Sequence, residues 1–284
     1  MTAVRMDGKA LAERVREEVA REVAELGHVG LATVLVGDDP ASHVYIGAKH
    51  KAATDAGIDA RDVRLPVDTS EEHVLDLVDQ LNRDEEVDGI LVQLPLPSHM
   101  NETRVTYAVS PAKDVDGFHP FNAGNLYLGT PIHVPATPSG CMELLRAYEI
   151  DPAGKEAVVI GRSEIVGRPM AMLLMHANAT VTVCHSRTAE LASHVRRADI
   201  VVAAVGRPGI VTAEMVKPGA ACLDVGLTRT DEGIRGDIDA AVEEVAGFLT
   251  PMPGGTGPMT IAMLLQSTLK AARYRRGLLD FPGS

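Results

Sequence analysis

Aromatic and basic side chains are scarce in this chain. Tryptophan is absent, aromatic residues make up 3% of the 284 positions, and 27 Lys plus Arg face 39 Asp plus Glu, which gives a net charge of −12. Nucleic-acid binding needs clustered positive charge and stacking platforms, so this composition argues against a nucleic-acid partner. Any phosphate that the chain binds must be bound by a few groups close to it in the structure.

Cysteine is also scarce, and long apolar runs are missing. Cys141, Cys184 and Cys222 are scattered without CxxC spacing, so we expect neither a disulfide framework nor a zinc site, and no other ligand cluster predicts a metal. No apolar run approaches the ~18 residues that a membrane span needs, and the N-terminus lacks a secretory signal. We expect a cytoplasmic protein without a membrane partner.

Helical and strand periods alternate along the first half of the chain. Apolar residues recur at steps of three and four over residues 7–26, which predicts an amphipathic helix. The following segments predict strands at 31–36, 61–67 and 89–93 and helices at 42–56 and 70–81. Because strands alternate with helices, we expect right-handed crossovers and a parallel sheet. A loop rich in Pro, Gly and Asp is predicted from 94 to 138, interrupted by a short helix at 101–108.

A second α/β series follows. It predicts strands at 157–160, 180–184, 200–205, 220–225 and 247–250 and helices at 168–177 and 189–196. A last helix at 259–273 comes after this sheet is complete, and we expect it to return to the first domain. The predicted fold class is α/β with two domains. The first is an N-terminal α/β substrate domain of residues 1–120, completed by 258–284, and the second is a Rossmann-like doubly wound dinucleotide-binding domain of residues 121–257.

The segment GRSEIVGRP, which follows the strand at 157–160, is the clearest functional signal. Gly161 and Gly167 let the backbone turn sharply and approach a pyrophosphate, and the start of the next helix offers N–H donors and a positive dipole end. The match to GxGxxG is inexact, because Ser163 replaces the middle glycine and Gly167 comes one residue late. A βαβ unit with ordinary solvated arginines is the alternative interpretation.

The end of the strand at 180–184 predicts which dinucleotide binds. An NAD site places an acid about 20 residues after the glycine turn, where it binds the ribose 2′-OH. No acid stands there in this chain. Ser186 and Arg187 stand there instead and could join Arg162 around a 2′-phosphate, because guanidinium groups bind phosphate oxygens bidentately. The sequence therefore predicts NADP as the cofactor.

Tyr45 and Lys49 lie four residues apart in the helix predicted at 42–56. They stand one turn apart on the same face, so an aromatic ring lies beside an amine that can transfer protons. A half-buried tyrosine near an ordinary exposed lysine explains the spacing equally well. YxxxK also occurs in short-chain dehydrogenases, but there the glycine-rich turn precedes it, and here the order is reversed.

Two loops carry polar groups where a parallel sheet binds ligands. Gln93 ends a predicted strand just before LPLP, and the carboxyl ends of such strands line binding sites. An amide that only caps the loop is the alternative. In KDVDGFHP, Asp114 and Asp116 are either turn formers beside Gly117 or a pair of metal ligands, and because no other ligand cluster supports a metal we predict none.

The segment PMPGGTGPMT, residues 251–260, places three glycines and three prolines in one predicted loop before the last helix. Such a loop can bring bare backbone close to a ligand. A purely structural turn would seldom need so many glycines.

These motifs occur together in one order: Tyr45 with Lys49, QLPLP, KDVDG, GRSEIVGRP and PGGTGPMT. With them the chain resembles the bifunctional methylenetetrahydrofolate dehydrogenase/methenyltetrahydrofolate cyclohydrolase family over nearly its whole length, from Val36 and Gly37 with the following DDPAS to the last helix. The resemblance implies an N-terminal α/β domain and a Rossmann domain beside a cleft. It also implies a homodimer, and two reactions at one site on tetrahydrofolate one-carbon derivatives.

The resemblance further implies roles for individual residues. Lys49 is the key cyclohydrolase residue, Tyr45 stacks on and orients the folate, Gln93 supports Lys49, and Asp116 anchors the pterin; Pro258 completes the substrate set. The expected cofactor contacts, from the resemblance and the phosphate argument together, are Gly161, Arg162, Ser163, Ile165, Val166, Ser186, Arg187, Gly254, Gly255 and Thr256. The family usually has valine in place of Thr256, so its hydroxyl puts only local cofactor contacts in doubt.

The implied reactions explain why such residues are needed. Hydride transfer from 5,10-methylenetetrahydrofolate to the cofactor gives a methenyl cation and needs placement more than acid or base. Hydrolysis of that cation to 10-formyltetrahydrofolate moves protons. A lysine can exchange one near pH 7 if burial and a cationic substrate lower its pKa from ~10.4.

Three alternatives stay open at this point. A dehydrogenase-only relative would lack Lys49, and a non-catalytic NADP-binding sensor would lose the four site residues of the first domain. Both are disfavoured because these residues are present. Another NADP-dependent dehydrogenase with a separate substrate domain, such as a shikimate-type enzyme, is the runner-up.

Overall fold

The computed structural model describes residues 2–37, 40–231 and 233–282, with the backbone alone over 40–44. These residues form two compact units. The six-strand unit contains Met1–Ala12 and Thr137–Thr260, and the three-strand unit contains Glu13–Ala136 and Ile261–Ser284. Each unit is thus assembled from two separate stretches of chain. The two aspartates that open the DDPAS motif, at 38 and 39, lie outside the described residues.

Strands and helices alternate along most of the chain. The strands are β1 (Val4–Arg5), β2 (Gly30–Val36), β3 (Asp59–Leu65), β4 (Gly89–Val92), β5 (Glu156–Ile160), β6 (Thr180–Cys184), β7 (Ile200–Ala203), β8 (Ala221–Asp224), β9 (Thr228–Thr230), β10 (Gly233–Arg235) and β11 (Phe248–Leu249). The helices are α1 (Gly8–Leu26), α2 (Pro40–Asp55), α3 (Glu71–Arg83), α4 (Glu102–Ala108), α5 (Pro120–Leu128), α6 (Ala136–Ala147), α7 (Gly167–His176), α8 (Leu191–Val195) and α9 (Thr256–Arg275). Two short 3₁₀ helices lie at Ala213–Met215 and Ala240–Glu244.

A parallel sheet in the order β3-β2-β4 forms the centre of the three-strand unit. All residues of β2 are buried, as its continuous apolar sequence requires for a central strand. Val74, Val78 and Leu81 of α3 recur at steps of four and three, so they share one face and are buried in the core beside the strands. The carboxyl ends of β2 and β4 lead to α2 and to Gln93.

All strands of the larger sheet in the six-strand unit run parallel, in the order β1-β11-β8-β7-β5-β6. β6 lies on one side of β5 and β7 on the other, so the direction of connection reverses at β5. In doubly wound sheets, ligands bind outside the carboxyl ends of the strands at such a reversal. The turn that starts at Gly161 and the residues that follow β7 lie at this position.

The predicted α/β class, with two parallel sheets, is confirmed. Each predicted strand and helix is present, and its ends differ from the predicted ones by at most three residues. The short β1 and the antiparallel hairpin of β9 and β10 are additional. These three strands have two or three residues each, too few to show a period, so the sequence pattern does not reveal them.

The loop predicted over 94–138 is wrong in part, because it contains α5 and the start of α6. Pro120 stands in the first turn of α5, the side chain of His119 caps this helix, and the chain leaves it at Gly129 with a φ of 83°. Pro138 likewise lies in the first turn of α6. Proline fits there because these backbone nitrogens have no helical partner, so prolines that suggest a loop here mark helix starts.

The predicted domain boundaries differ from the compact units at three places, the smallest of which is residues 258–260, which belong to the six-strand unit. β1 pairs with β11, so residues 1–12 belong to the six-strand unit rather than to the first domain. Residues 121–136 belong to the three-strand unit. There the Asn122 amide donates to the Pro111 carbonyl (2.9 Å) and to Asp114 (2.8 Å), which ties α5 to the preceding turn.

The last helix, α9, begins at Thr256, inside the loop predicted over 251–260, and its later part belongs to the three-strand unit. Arg275 donates to the buried carboxylate of Asp88 (2.7 Å). The other oxygen of Asp88 accepts from the Gly30 N–H at the start of β2 (2.9 Å). This ion pair connects the end of the helix to the sheet, as the predicted return of the helix to the first domain requires.

Candidate active site

Lys49 lies on α2 and is buried, with 7% of its surface exposed. Its Nζ donates to Gln93 Oε1 (3.1 Å) and lies 4.9 Å from the centre of the Tyr45 ring. The Gln93 Nε2 donates to the carbonyl of Leu94 (2.7 Å), which fixes the orientation of the amide. A helix and a strand end therefore bring together three residues that the sequence singled out.

Burial and charge shift the pKa values of Lys49 and Asp116 toward each other. Desolvation lowers the pKa of Lys49, and the negative charge of Asp116 opposes this effect. Desolvation raises the pKa of Asp116 to about 6; the charge of Lys49 opposes this shift and the charge of Asp114 adds to it. An amine that gives up its proton more readily thus lies within the field of a carboxyl group that keeps its proton more strongly.

Asp114 and Asp116 have different surroundings although they are two residues apart. Asp114 is 4% exposed, and its Oδ2 accepts from the Asn122 amide (2.8 Å) and from the His119 N–H (2.8 Å). Gly117 has a φ of 68°, and a Cβ there would lie 2.9 Å from a backbone carbonyl oxygen. Asp114 is therefore the turn former that the sequence suggested, whereas Asp116 is half-buried and interacts with the charge of Lys49.

The turn after β5 has the geometry of a phosphate-binding turn. Gly161 has a φ of 124°, and a Cβ on it would lie 2.5 Å from the Ala204 carbonyl oxygen; a Cβ on Gly167 would overlap the backbone of Gly161. Ser163 Oγ accepts from the N–H groups of Val166 (3.2 Å) and Gly167 (3.3 Å). The serine that departs from the glycine fingerprint therefore caps the start of α7.

The side chains predicted to bind a 2′-phosphate are exposed. Arg162, Ser186 and Arg187 all face solvent, and no hydrogen bond or ion pair joins their side chains to other residues that the structure describes. The backbone beneath them is held, because the His185 N–H donates to Thr188 Oγ1 (2.8 Å) and the Arg187 N–H to His185 Nδ1 (3.2 Å). These polar groups are free to bind an anion. Ile165 is also exposed, at 45%.

Two glycines of the late loop are required by its backbone, one by its positive φ and one by close packing. Gly254 has a φ of 107°, and a Cβ on Gly255 would lie 2.7 Å from the Pro251 carbonyl oxygen. Thr256 is buried, and its hydroxyl donates to the Asp224 carbonyl (2.8 Å). The hydroxyl added by Thr256 is therefore used inside the protein. Pro258 lies in the first turn of α9, within the six-strand unit.

Two buried aspartates were missed by the sequence analysis. Asp237 accepts from three successive backbone N–H groups of residues 205–207, and Asp224 accepts from the N–H groups of Asp237 (2.8 Å) and Ile238 (3.1 Å). Burial raises the pKa of Asp224 to about 7, the charge of Asp237 adds to this shift, and the N–H donors oppose it. The one available signal is that each acid adjoins an apolar segment close to a glycine.

The glycine turn and the exposed arginines fit a phosphorylated dinucleotide, since they offer close backbone approach and positive charge. Within the described ranges, no group of three or more His, Cys, Asp or Glu is arranged to hold a metal ion. Nor does any helix there have the length and apolar character to cross a membrane.

Comparison with known families matches both parts of the chain. The family described as "Tetrahydrofolate dehydrogenase/cyclohydrolase, catalytic domain" matches residues 6–116. The one described as "Tetrahydrofolate dehydrogenase/cyclohydrolase, NAD(P)-binding domain" matches residues 135–276. Together they cover most of the chain.

Individual relatives match over nearly the full length. A Paraburkholderia phytofirmans protein named "Bifunctional protein FolD" is 56% identical over 278 residues, which are 96% of this chain and 97% of that protein. The crystal structure of the bifunctional FolD enzyme, methylenetetrahydrofolate dehydrogenase/cyclohydrolase, from Campylobacter jejuni superposes with a TM-score of 0.95 at 45% identity and covers 96% of this chain and 99% of that one. The Trypanosoma brucei enzyme of the same name, complexed with NADP cofactor and inhibitor, superposes with a TM-score of 0.93 at 40% identity, with 98% and 99% covered.

Proposed function

This chain belongs to the tetrahydrofolate dehydrogenase/cyclohydrolase family and has both of its activities, and from that premise we propose that Lys49 carries out the proton transfers of the second one. The first activity oxidises 5,10-methylenetetrahydrofolate to 5,10-methenyltetrahydrofolate. The second hydrolyses that cation to 10-formyltetrahydrofolate. Membership of this family decides against the runner-up, a different NADP-dependent dehydrogenase.

Hydrolysis needs a group that takes up and returns protons. Water adds to the methenyl carbon and loses a proton to the neutral Lys49 amine. The resulting ammonium protonates N5 as the bond from the carbon to N5 breaks with its electron pair on N5, and the amine then takes the hydroxyl proton as the formyl group forms. That proton passes to solvent, so each turnover releases one. Supporting this role, burial lowers the pKa of Lys49 and favours the neutral amine.

Tyr45 and Gln93 are proposed to orient the reactants around Lys49. Gln93 Oε1 accepts from Nζ at 3.1 Å, and this amide is itself held by its bond to the Leu94 carbonyl. The Tyr45 ring lies 4.9 Å from Nζ, so its face offers an apolar platform for a flat folate ring beside the amine. Both contacts restrict where the amine points, which is what a proton transfer to a fixed atom requires.

Asp116 is proposed to anchor the pterin. A carboxylate accepts hydrogen bonds only, and the pterin ring presents amino and ring N–H donors. The half-buried position of Asp116 near Lys49 supports this assignment, because a charge-assisted bond is strongest where water is partly excluded. Pro258 remains a proposed substrate contact.

NADP is the proposed cofactor. When bound, it accepts a hydride from the methylene carbon of the substrate. Gly161, Gly167 and Ser163 form the turn and helix start for its pyrophosphate, and Arg162, Ser186 and Arg187 bind the 2′-phosphate. Their exposure and lack of described partners support this proposal, as does the NADP complex of the Trypanosoma brucei relative. Ile165, Val166, Gly254, Gly255 and Thr256 are the remaining proposed contacts, Thr256 through its backbone alone.

The dinucleotide-binding role is proposed for the six-strand unit and folate binding for the three-strand unit, in agreement with the two family matches. We also propose that the protein acts in the cytoplasm, where NADP and folates meet, and cell fractionation that follows the activity tests this.

A homodimer is proposed through the edge of the six-strand unit. β1 forms that edge; Val4 is 50% and Ile234 40% exposed. A cavity of 720 Å³ nearby is lined by both charge signs, including Arg5, Asp239 and Glu243, and mixed charge suits a two-fold contact in which one patch meets itself. Light scattering should give twice the chain mass, and Val4→Arg with Ile234→Arg should reduce it to one chain.

The buried Lys49 held by Gln93 is the single observation that carries the proposal. The test is a spectroscopic assay of the wild-type protein with 5,10-methylenetetrahydrofolate and NADP, in which NADPH and methenyl absorbance are followed separately. We expect NADPH to accumulate while methenyl absorbance stays low because hydrolysis removes it. NADPH formation without loss of the methenyl form would contradict the hydrolytic role.

A further inference from the structure

The turn that follows β7 is held by a carboxylate of the protein itself. Asp237 Oδ2 accepts from the N–H groups of Val205 (2.6 Å) and Gly206 (3.1 Å), and its Oδ1 accepts from the Arg207 N–H (2.5 Å). Successive N–H groups that converge on one point form an anion-binding nest. Here the protein fills that nest, so these three donors are not available to a phosphate of a ligand.

Asp237 is fixed in turn by Asp224. The Asp224 carboxylate accepts from the N–H groups of Asp237 and Ile238, its own N–H donates to Thr250 Oγ1 (2.7 Å), and its carbonyl accepts from Thr256 Oγ1. Both carboxyl groups are buried, Asp237 fully and Asp224 with 3% exposed. The chain of contacts therefore runs from the start of α9 through two aspartates to the turn after β7.

The backbone leaves room for both carboxyl groups only because two glycines face them. A Cβ on Gly226 would overlap the carboxyl group of Asp237, and a Cβ on Gly236 would overlap that of Asp224. Burying two carboxyl groups beside each other is costly, and a structure that needed only stability would be better served by apolar side chains. The arrangement therefore favours a role in fixing one conformation of the turn.

The position of the turn shows which conformation matters. β7 lies beside β5 at the point where the sheet reverses, and the Ala204 carbonyl lies so close to Gly161 that a Cβ there would be 2.5 Å away. The turn after β7 and the phosphate-binding turn after β5 are thus packed together. A displacement of residues 205–207 would reach the place where a dinucleotide binds in a doubly wound sheet.

We propose that Asp237 is a positioning residue for dinucleotide binding: its carboxylate fixes residues 205–207 against the Gly161 turn, and Asp224 fixes Asp237. This inference rests on the proposed function of the six-strand unit as the dinucleotide-binding part. With the nest filled by Asp237, the N–H groups of residues 205–207 hold the Gly161 turn in place and do not bind the phosphates of the dinucleotide themselves.

The test is a fluorescence titration of the full-length protein with NADPH, which needs no folate and no turnover. Asp237→Asn keeps the shape of the side chain but turns an amide N–H₂ toward N–H donors. We expect the Kd for NADPH to rise by at least about tenfold, which is the size expected for the loss of one charge-assisted bond. Asp224→Asn should raise the Kd in the same direction by a smaller factor. Asp151→Asn, an exposed aspartate of the same unit that accepts from the Ala153 N–H (3.0 Å), is the matched control and should leave the Kd unchanged.

Thermal denaturation reports whether the variants are folded, and hydrolysis of added 5,10-methenyltetrahydrofolate reports whether the site around Lys49 in the three-strand unit is intact. A raised Kd with hydrolysis retained supports the positioning role. A Kd within twofold of wild type in both Asp237→Asn and Asp224→Asn overturns it, and if Asp237→Asn does not fold, an unchanged Kd in Asp224→Asn alone overturns it. If the wild-type protein binds NADPH but does not oxidise 5,10-methylenetetrahydrofolate with NADP, the proposed function is contradicted instead. The titration still tests the positioning role of Asp237 in that case.

Discussion

The two sets of proposed site residues are built in opposite ways. In the three-strand unit Lys49 is buried, hydrogen-bonded and shifted in pKa. In the six-strand unit Arg162, Ser186 and Arg187 are exposed, and their side chains have no hydrogen-bond or ion-pair partner among the described residues. What is fixed there is the backbone around them, through close packing at Gly161 and the hydrogen bonds of the following loops.

The difference follows from what each region has to do. A proton transfer depends on the protonation state of one group, and burial controls that state. Recognition of a doubly charged phosphate needs a charge that is always present, and an arginine carries it even in water. Changes in the first region should therefore alter a rate and its pH profile, whereas changes in the second should alter which cofactor is preferred.

The largest effect is expected for Lys49→Met. The substitution keeps an apolar stem and removes the amine, so hydrolysis of 5,10-methenyltetrahydrofolate should slow by about 10²- to 10⁴-fold, the usual contribution of general acid–base catalysis. NADPH binding should not change. Loss of methenyl absorbance measures the first quantity and a fluorescence titration the second.

Lys51→Met is the matched control for this variant. Lys51 lies on the same helix, two residues on, with its side chain 77% exposed and paired with Asp55 at 2.7 Å. Its loss should leave hydrolysis intact. Wild-type turnover in Lys49→Met would show that another group moves the protons.

The second largest effect is expected for the double variant Arg162→Ala with Ser186→Asp. It removes a guanidinium group and adds an acid that repels the 2′-phosphate but accepts from a free ribose hydroxyl. With charge-assisted bonds worth ~1.5 to 3 kcal/mol, kcat/KM for NADP should fall by about 10²-fold. The value for NAD should barely change. Steady-state kinetics with both cofactors measure this.

Arg168→Ala serves as the control for the loss of a neighbouring positive charge, since Arg168 is exposed and pairs with Glu164 at 2.9 Å. It should leave the ratio of the two cofactors unchanged. A wild-type preference for NAD, or equal losses with both cofactors in the double variant, would show that the phosphate pocket lies elsewhere.

The third prediction separates Asp116 from Asp114. Asp116→Ala should weaken folate binding by ~1 to 3 kcal/mol, because pterin donors are left unpaired, and should leave the melting temperature nearly unchanged. Asp114→Ala should instead lower the free energy of unfolding by ~1 to 3 kcal/mol, because it leaves the buried Asn122 amide and the His119 N–H without their acceptor. Isothermal titration with folate and thermal denaturation give both numbers. If Asp116→Ala binds folate as the wild type does, Asp116 is a turn residue only.

A smaller effect is expected from pH alone. The pKa of Asp116 is raised to about 6, so the accepting carboxylate is present above that pH and is lost as the pH falls through it. The Michaelis constant for folate should then rise by up to about tenfold per pH unit below the pKa. The free energy of unfolding depends on pH in the opposite direction. A carboxyl group that binds its proton more tightly in the folded state stabilises the fold most below its unfolded pKa, and this contribution is lost as the pH rises through its folded pKa. In Asp116→Asn the inflection in the pH profile should disappear; its persistence would assign it to another group.

The smallest effect is expected for Thr256→Val. The hydroxyl donates to the Asp224 carbonyl, so its loss should cost about 1 kcal/mol of stability, the net value of one hydrogen bond. Kinetic constants for NADP should stay within about twofold, since the hydroxyl points into the protein and bond losses of this size leave the fold in place. A large change in the NADP Michaelis constant would show that Thr256 contacts the cofactor through its side chain.

The sequence alone predicts the exposed site residues more completely than the buried ones. The helix spacing of Tyr45 and Lys49 is visible because it is local. The contact of Lys49 with Gln93 depends on β4 lying next to β2, which no local pattern specifies. The pKa shifts of Lys49 and Asp116 follow from burial, which the local sequence pattern does not specify either. By contrast, Arg162 and Ser186 are exposed and depend little on tertiary contacts, so a missing acid and an added positive charge can be recognised from the sequence alone.

The parts that sequence reasoning missed have a common cause. Asp237 binds backbone groups about thirty positions earlier in the chain, and Ser163 looked like a defect in a glycine motif although it caps a helix. Pro120 and Pro138 suggested a loop although they begin helices. In each case one residue type serves two purposes, and only the three-dimensional partner decides between them.

The interleaving of the two units along the chain has a consequence for synthesis. A ribosome releases the N-terminus first, and a domain made of one continuous stretch can fold as soon as it has emerged. Here the edge strand β1 must wait for its neighbour β11, made some 240 residues later, and the sheet of the three-strand unit must wait for Arg275 of the last helix. Neither unit is complete until the last helix has been made, so a chain that stalls before that point exposes unfinished surface of both.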